Sequence, residues 1–376
     1  MNMRKILLTY LLFFVMGSSH SHETPFNVEE ITSLNEPWAM TFMPDGNLLV
    51  TEKSGRLLWM NQAGKVLADI SGVPEVDYGG QGGLGDIALH PNFSENSIVY
   101  MSFAEAGESE TDTRGAAVIK ATLTLANESG SLSDIKYIWR QTPKVTGRGH
   151  YAHRLEFSSD GYLYISSGDR QKFDPAQDME MNLGKIIRLY DDGKIPNDNP
   201  FYSAGGVAAE VWSLGHRNPL GIDFDADGQL WNIEMGPRGG DELNRVIKGE
   251  NYGYPTVSNG IHYNGDDMPN HDTRPEFEEP KVWWTPVISP SSFVIYQGDL
   301  FSDWQGDGFI SGLNSESLVR IEFDGTSAKE AERFDMGKRI RSVEQGPNGA
   351  LWLLEDYPRR QDKSRGRLLK LTPHGH

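Results

Sequence analysis

Phe157-Ser158-Ser159-Asp160-Gly161-Tyr162-Leu163-Tyr164-Ile165 decides the fold. It reads as the end of one strand, a turn and the start of another strand. Asp-Gly marks a tight hairpin turn because Gly tolerates positive φ. The residues around it are aromatic or β-branched, as half-buried strands prefer. The same pattern stands at Phe42-Met43-Pro44-Asp45-Gly46-Asn47-Leu48-Leu49-Val50, at Phe224-Asp225-Ala226-Asp227-Gly228-Gln229-Leu230-Trp231 and at Gln345-Gly346-Pro347-Asn348-Gly349-Ala350-Leu351-Trp352. Degenerate copies run from His90-Pro91-Asn92-Phe93 to Ile98-Val99-Tyr100, and from Asp303 to Phe309-Ile310. Six copies give a repeat of about 60 residues. Helical periodicity is scarce. The expectation is an all-β chain, a six-bladed β-propeller with four-stranded antiparallel blades, which leaves only short, protected edges. A pair of β-sandwiches or a β-helix is the competing reading. Irregular spacing and long inserts, at 104–116, 170–183 and 255–282, favour the propeller over a solenoid, and such inserts usually line a site on one face.

The bulk numbers narrow the function. The chain has 376 residues and a formal charge of −18, from 35 basic and 53 acidic side chains. Nucleic acid is a poor partner for such a balance. Arg4 and Lys5 precede an apolar run from Ile6 to Met16, and Gly17, Ser18, Ser19 and Ser21 follow. That pattern predicts a signal peptide over residues 1–21 and export to the periplasm. The run is shorter than the roughly 20 apolar residues of a spanning helix, and no other segment approaches that length, so no stable membrane insertion is expected. The chain has no cysteine, which excludes disulfides, thiolate catalysis and cysteine-type zinc sites. No linker divides the rest, so one domain is expected over 24–373, with the tail from Thr372 to His376 loose. A monomer and a homodimer both fit.

Five segments carry polar, glycine-rich or charged residues where strands would place apolar ones. Gly79-Gly80-Gln81-Gly82-Gly83-Leu84-Gly85 lets backbone approach a ligand or simply turn sharply. It lacks the ending of a phosphate loop. Gly149-His150-Tyr151-Ala152-His153-Arg154, followed by Ser166-Ser167-Gly168-Asp169, offers a histidine base and a carboxylate to orient it. His-x-x-His also admits zinc, though further ligands with the right spacing are missing, and His153 reads best as a satisfied loop residue. Leu214-Gly215-His216-Arg217-Asn218-Pro219 sets a guanidinium beside an amide. Glu234-Met235-Gly236-Pro237-Arg238-Gly239-Gly240-Asp241-Glu242, then Asn251-Tyr252-Gly253-Tyr254-Pro255, mixes acids with free carbonyls as calcium prefers, or forms a solvated acidic turn. Lys338-Arg339-Ile340-Arg341 points two guanidiniums to one face of a strand. They repel unless an anion joins them, which hints at a multiply anionic ligand; the bland alternative is an edge-strand solubility device.

In this order, the five segments resemble the glucose/sorbosone dehydrogenase family, whose members include soluble aldose sugar dehydrogenases that use pyrroloquinoline quinone (PQQ). The likeness spans the mature chain, and its most specific pieces are Leu-Gly-His-Arg-Asn-Pro, Gly-Pro-x-x-x-Asp-Glu and Asn-Tyr-Gly-Tyr-Pro. It implies that His150 is the catalytic base, Asp169 its orienting carboxylate and Arg217 a catalytic polarising cation. It implies that Gln81, His150, Arg217 and Asn218 contact the cofactor, that Arg339 and Arg341 hold its carboxylates, and that Tyr263 stacks beside it. Gly236 and Pro237 fall at positions whose carbonyls bind calcium under PQQ, and Glu242 and Tyr252 at a further calcium site. Asn314 falls where some members carry Lys; an amide can hydrogen-bond a carboxylate but not neutralise it. His153 falls where small residues are common.

The implied reaction is oxidation of an aldose at C1 to the lactone, with His150 taking the hydroxyl proton, hydride passing to the quinone, and an unidentified acceptor receiving the electrons. A calcium-dependent lactonase is the alternative enzyme. A sugar- or protein-binding propeller without activity is the alternative of another class.

Overall fold

The computed structural model describes residues 24–108, 110–356 and 365–375. The expected signal peptide over 1–21 lies outside them. The chain is almost wholly β. Strands β1 (Phe26–Asn35), β2 (Pro37–Phe42), β3 (Leu48–Glu52), β4 (Arg56–Met60) and β5 (Val66–Ser71) are followed by β6 (Leu84–Leu89), β7 (Ile98–Ala106), β8 (Arg114–Ala126) and β9 (Ser129–Arg140). Next come β10 (Ala152–Phe157), β11 (Leu163–Ser167), β12 (Lys185–Leu189) and β13 (Val211–Leu214), then β14 (Pro219–Phe224), β15 (Leu230–Glu234), β16 (Arg238–Gly239), β17 (Asp241–Arg245), β18 (Gly260–Ile261) and β19 (Val282–Trp284). The last are β20 (Pro290–Ile295), β21 (Gly308–Gly312), β22 (Ser317–Asp324), β23 (Ser327–Asp335), β24 (Arg339–Gln345), β25 (Leu351–Asp356) and β26 (Arg365–Pro373).

The sheets are small and mostly of four antiparallel strands: β10-β11-β12-β13, β14-β15-β17-β19, β20-β21-β22-β23 and β1-β26-β25-β24. An eight-stranded sheet consists of β2-β3-β4-β5 and β6-β7-β8-β9, joined edge to edge by a short parallel pairing of Ile70 with Gly130. Strands β2, β6, β10, β14, β20 and β24 touch one another in that order, and β24 touches β2, so they close a ring. Closure of the chain itself is by hydrogen bonding: β1 pairs with β26 from Phe26–Pro373 to Asn35–Arg365. A chain without cysteine can rely on such pairing and on packing. The tail is not loose as expected, because Thr372 and Pro373 lie in β26 and His374 bonds to Asn27 and Thr24.

The repeated turn has one geometry. Met43 N–H donates to Asn47 O and Gly46 N–H to Met43 O, both at 2.8 Å. Ser158 with Tyr162 and Gly161, Asp225 with Gln229 and Gly228, and Gly346 with Ala350 and Gly349 repeat both bonds. Only the glycine has positive φ, +82° at Gly46 and +87° at Gly161. The Asp or Asn before it does not, so these are longer turns closed by a left-handed glycine rather than two-residue hairpins. Between sheets the apolar faces interlock, with Leu49, Met101, Phe103, Ile119, Trp231 and Ile310 all fully buried.

Candidate active site

Each four-stranded unit starts at the ring, so residues entering the first strand and leaving the second gather at one mouth. In the third unit these are His150 and Asp169. His150 Nδ1 lies 2.6 Å from Asp169 Oδ1. The carboxylate can only accept, so Nδ1 carries the proton and Nε2 keeps its lone pair. Asp169 is fully buried and also accepts the N–H groups of Gln171 and Phe173 at 3.0 and 3.3 Å. Burial pushes the imidazole below the ordinary histidine range; the bond to Asp169 opposes this, and the charges of Arg217 and Arg170 reinforce it. Gln81, expected at the cofactor, accepts the His150 N–H through Oε1 at 2.7 Å and so holds the backbone of that histidine.

His153 belongs to the core. It stacks on Trp38 with centroids 5.0 Å apart, and its Nδ1 lies 2.7 Å from Ser102 Oγ. Burial, with Arg154 nearby, pushes it down to about 3. The two histidines have different partners, which removes the zinc alternative.

In the fourth unit Arg217 is buried. Its Nη1 donates to the carbonyls of Met235 and Gly236 at 2.8 and 2.7 Å, and its backbone N–H to Glu234 Oε2 at 2.6 Å. Among the described residues its Nε has no partner, and neither has either amide atom of Asn218, a residue 1% exposed. Buried polar atoms rarely go unpaired; the two donors, Arg217 Nε and Asn218 Nδ2, fit a ligand bearing carbonyl or carboxylate oxygens, and Asn218 Oδ1 fits a donor on it. Tyr263 is 69% exposed on a hairpin above, its hydroxyl at a long 3.4 Å from Arg217 Nη2. A cleft of about 220 Å³ lies between Phe173, Arg217, Pro237, His262, Tyr263 and Asn264. A second, of about 630 Å³, runs past Pro237 to Val287 and Ser289. Two of the three inserts thus reach the mouth, through Phe173 and Tyr263.

In the sixth unit the arginine pair meets an anion of the chain itself. Nη2 of Arg339 and of Arg341 lie 3.1 and 2.8 Å from Asp356 Oδ2. An outside anion is therefore not required to bring the two guanidiniums together, although among the described residues one carboxylate serves both. Burial alone would raise the Asp356 carboxyl; the two guanidiniums outweigh it and hold the group low. The strand is not regular, since its register slips between Ile340 and Ser342. Asp356 was missed in the sequence, but it leaves the second strand of its unit as Asp169 does, and that repeat position is the signal. Asn314 is exposed on the same rim, next to Leu313, whose carbonyl accepts from Arg339.

The residues expected in two calcium sites border one small cavity of about 10 Å³: Gly236, Pro237, Glu242 and Tyr252, with Glu234. That is room for one water-sized atom. Glu234 and Glu242 face each other on β15 and β17, bridged by Asn244 Nδ2 at 3.1 and 3.3 Å. Burial raises the Glu242 carboxyl; His271 opposes this and Glu234 adds to it. A pair of buried carboxylates among carbonyls suits a hard cation. Among the described residues no three His, Cys, Asp or Glu side chains converge on a metal position, so carbonyl oxygens must complete the set. The Tyr252 hydroxyl is engaged elsewhere, accepting from Ile247 N–H at 2.9 Å, as expected of a residue offering its carbonyl.

The family model for glucose/sorbosone dehydrogenase matches residues 34–370. The chain is 38% identical over 358 residues to the aldose sugar dehydrogenase YliI of Escherichia coli, covering 92% of this chain and 93% of that one. Among solved structures it is similar to the apo form of soluble aldose sugar dehydrogenase from Escherichia coli, with 36% identity, a TM-score of 0.85 and 93% and 100% of the two chains covered. It is also similar to the PQQ-bound form of aldose sugar dehydrogenase from Streptomyces coelicolor, with 27% identity, a TM-score of 0.74 and 92% and 98% covered.

Proposed function

The chain belongs to the glucose/sorbosone dehydrogenase family, and from that premise we propose that it oxidises aldose sugars at C1 to the lactone, with PQQ and calcium as cofactors. The observation that carries this is the His150–Asp169 pair, set beside the unpartnered atoms of Arg217 and Asn218 at one mouth of the ring. We read residues 24–373 as one six-bladed propeller, each four-stranded unit a blade, behind a leader over 1–21 that directs export to the periplasm.

When bound, PQQ supplies the acceptor for the C1 hydride. His150 Nε2 takes the proton of the C1 hydroxyl, and loss of that proton with the hydride leaves the lactone. Asp169 fixes the tautomer and stabilises the imidazolium that forms. Arg217 places a permanent positive charge, nearly dry, where negative charge develops. Arg217 and Asn218 would hold cofactor oxygens, Arg339 and Arg341 its carboxylates with Asn314 at their rim, and the exposed Tyr263 ring would pack beside it. Gln81 keeps the base in place. The carbonyls of Gly236 and Pro237 would hold the calcium beneath PQQ, and Glu242 with the carbonyl of Tyr252 a further calcium. The two electrons carried by the hydride would require a separate acceptor.

The test is reconstitution of the apo-protein with PQQ and calcium, then dye-linked oxidation of a panel of aldoses with and without chelator. Calcium-dependent oxidation of one or more sugars supports the reading. Tight PQQ binding with no sugar oxidised would overturn the substrate class. Absence of PQQ binding would overturn the cofactor and move the lactonase and binding-module readings forward.

A further inference from the structure

Arg170 directly follows Asp169 and is 1% exposed. Its guanidinium is spent on carbonyls: Nε donates to Gly149 O at 2.8 Å, Nη1 to Arg114 O at 2.7 Å and Nη2 to Gly147 O at 2.6 Å. Its carbon lies 3.8 Å from the centre of the Tyr151 ring. Its backbone N–H donates to the His150 carbonyl at 3.3 Å. Among the described residues it forms no ion pair. A buried cation without a paired carboxylate is costly, so the position needs a reason.

The reason lies in the segment it holds. Gly147-Arg148-Gly149 leads into His150; Arg148 is held by Asp77 at 2.7 Å, by Tyr78 O at 3.0 Å and by the Gln81 N–H on its carbonyl at 2.8 Å, whereas the carbonyls of Gly147 and Gly149 on either side of it are held by Arg170. His150 and Ala152 have φ of +50° and +56°, a conformation that non-glycine residues keep only where their surroundings impose it. Gln81 grips the His150 N–H from one side, and Arg170 grips the carbonyls of Gly147, Gly149 and His150 from behind.

We propose that Arg170 is a further positioning residue of the catalytic base, beside Asp169 and Gln81: it pins the segment 147–150 to the neighbouring unit through Arg114 O and sets a buried positive charge near the His150 imidazole. The charge favours neutral imidazole, the form that accepts a proton. The other charged groups facing His150 are Asp169, which favours the imidazolium, and Arg217, which opposes it. Those facing Arg170 are Tyr151, Arg114, Asp169 and Asp77.

The inference rests on His150 being the base, and its test separates the two. Arg170→Gln and Arg170→Lys are compared with the parent as full chains. His150 is titrated by nuclear magnetic resonance of labelled imidazoles in PQQ-free protein, its signal identified by loss in His150→Gln. Kinetics follow after loading with PQQ and calcium. The midpoint should move to higher pH in Arg170→Gln and stay in place in Arg170→Lys. In both, kcat should fall about tenfold to a hundredfold, as for a misplaced catalytic group, with KM unchanged. An unmoved midpoint in Arg170→Gln, or parental kcat in Arg170→Lys, overturns the proposal. If Arg170→Gln does not fold, Arg170→Lys still decides it through kcat. A shifted midpoint in a protein whose parent oxidises no sugar would keep the role of Arg170 and sink the proposed reaction.

Discussion

Asp169 binds both sides of the proposed chemistry: its carboxylate holds His150 Nδ1 at 2.6 Å, and its N–H donates to the Arg217 carbonyl at 2.8 Å. The base on the third unit and the cation on the fourth are therefore linked through one residue. Asp169→Asn keeps the shape but offers an amide, which no longer demands the proton on Nδ1. Turnover should fall about 10²- to 10⁴-fold, the usual range for general-base catalysis, while PQQ still binds. Steady-state rates beside a PQQ titration check this; parental turnover would remove Asp169 from the mechanism.

The pH profile should carry the same signature. Burial holds His150 below the ordinary histidine value, so the imidazole stays neutral, and able to accept a proton, at pH values where a solvated histidine has charged. The acidic limb of kcat/KM should thus lie below about 6.5, the reference histidine value. Asp169→Asn removes a group that favours the imidazolium and should move the limb lower still. A parental limb at or above the reference value would show that a different group limits the rate.

Much of this was legible in the sequence because glycine turns repeat visibly and the motif residues sit at matching places in each repeat. His150 and Asp169 flank one turn of that pattern, so their meeting follows from one hairpin. Asp356 was harder: it reaches Arg339 and Arg341 only through the pairing of β24 with β25, and the register slips at Arg341, between Ile340 and Ser342. The single cavity shared by Gly236, Pro237, Glu242 and Tyr252 was hidden for the same reason, since it depends on Glu234 facing Glu242 across two strands. Arg170 was invisible because its partners are backbone carbonyls, which no sequence pattern records.

Asn314 offers a gain-of-function test. It is exposed beside Arg339, where Lys would add a charge facing the same anion. Exposed charge pairs contribute about 0.2–1 kcal/mol, so Asn314→Lys should tighten PQQ binding up to about fivefold at low salt, and less as salt screens it. Fluorescence titration at two ionic strengths measures both. Unchanged affinity at low salt would place the cofactor carboxylates away from this rim.

Calcium should stabilise the fold through the carboxylates of β15 and β17. A ligand at a hundredfold excess over its Kd adds about 2.7 kcal/mol to a protein that binds it only when folded. Thermal melts with calcium and with chelator should differ, and Glu242→Gln should lose most of the difference. An equal calcium effect in that variant would locate the ion elsewhere.

The end of the ring away from the proposed site should make the protein sensitive to alkali. A cavity of about 590 Å³ there is lined by Asp86, Arg154, Glu156 and Glu344. Burial, with Asp223 and Asp86 adding repulsion, pushes Glu344 up to about 8, and burial pushes Asp223 up to about 7. Glu156 is raised by burial and by the same neighbours, whereas Asp86 is partly satisfied by Arg154 and the Leu155 N–H. The sign follows from the proton count. Near neutral pH the folded chain holds protons on these carboxyls that the unfolded chain has released, so raising the pH favours unfolding. Their contribution is complete below the ordinary carboxylate range and is lost as pH rises through about 7 and about 8. The melting temperature should fall across that window. Glu344→Gln keeps a neutral side chain at every pH, so its decline should be shallower and its melting temperature above the parent's at alkaline pH. Parallel curves for the two proteins would mean that Glu344 is already ionised in the folded state, with Arg154 or solvent supplying the compensation.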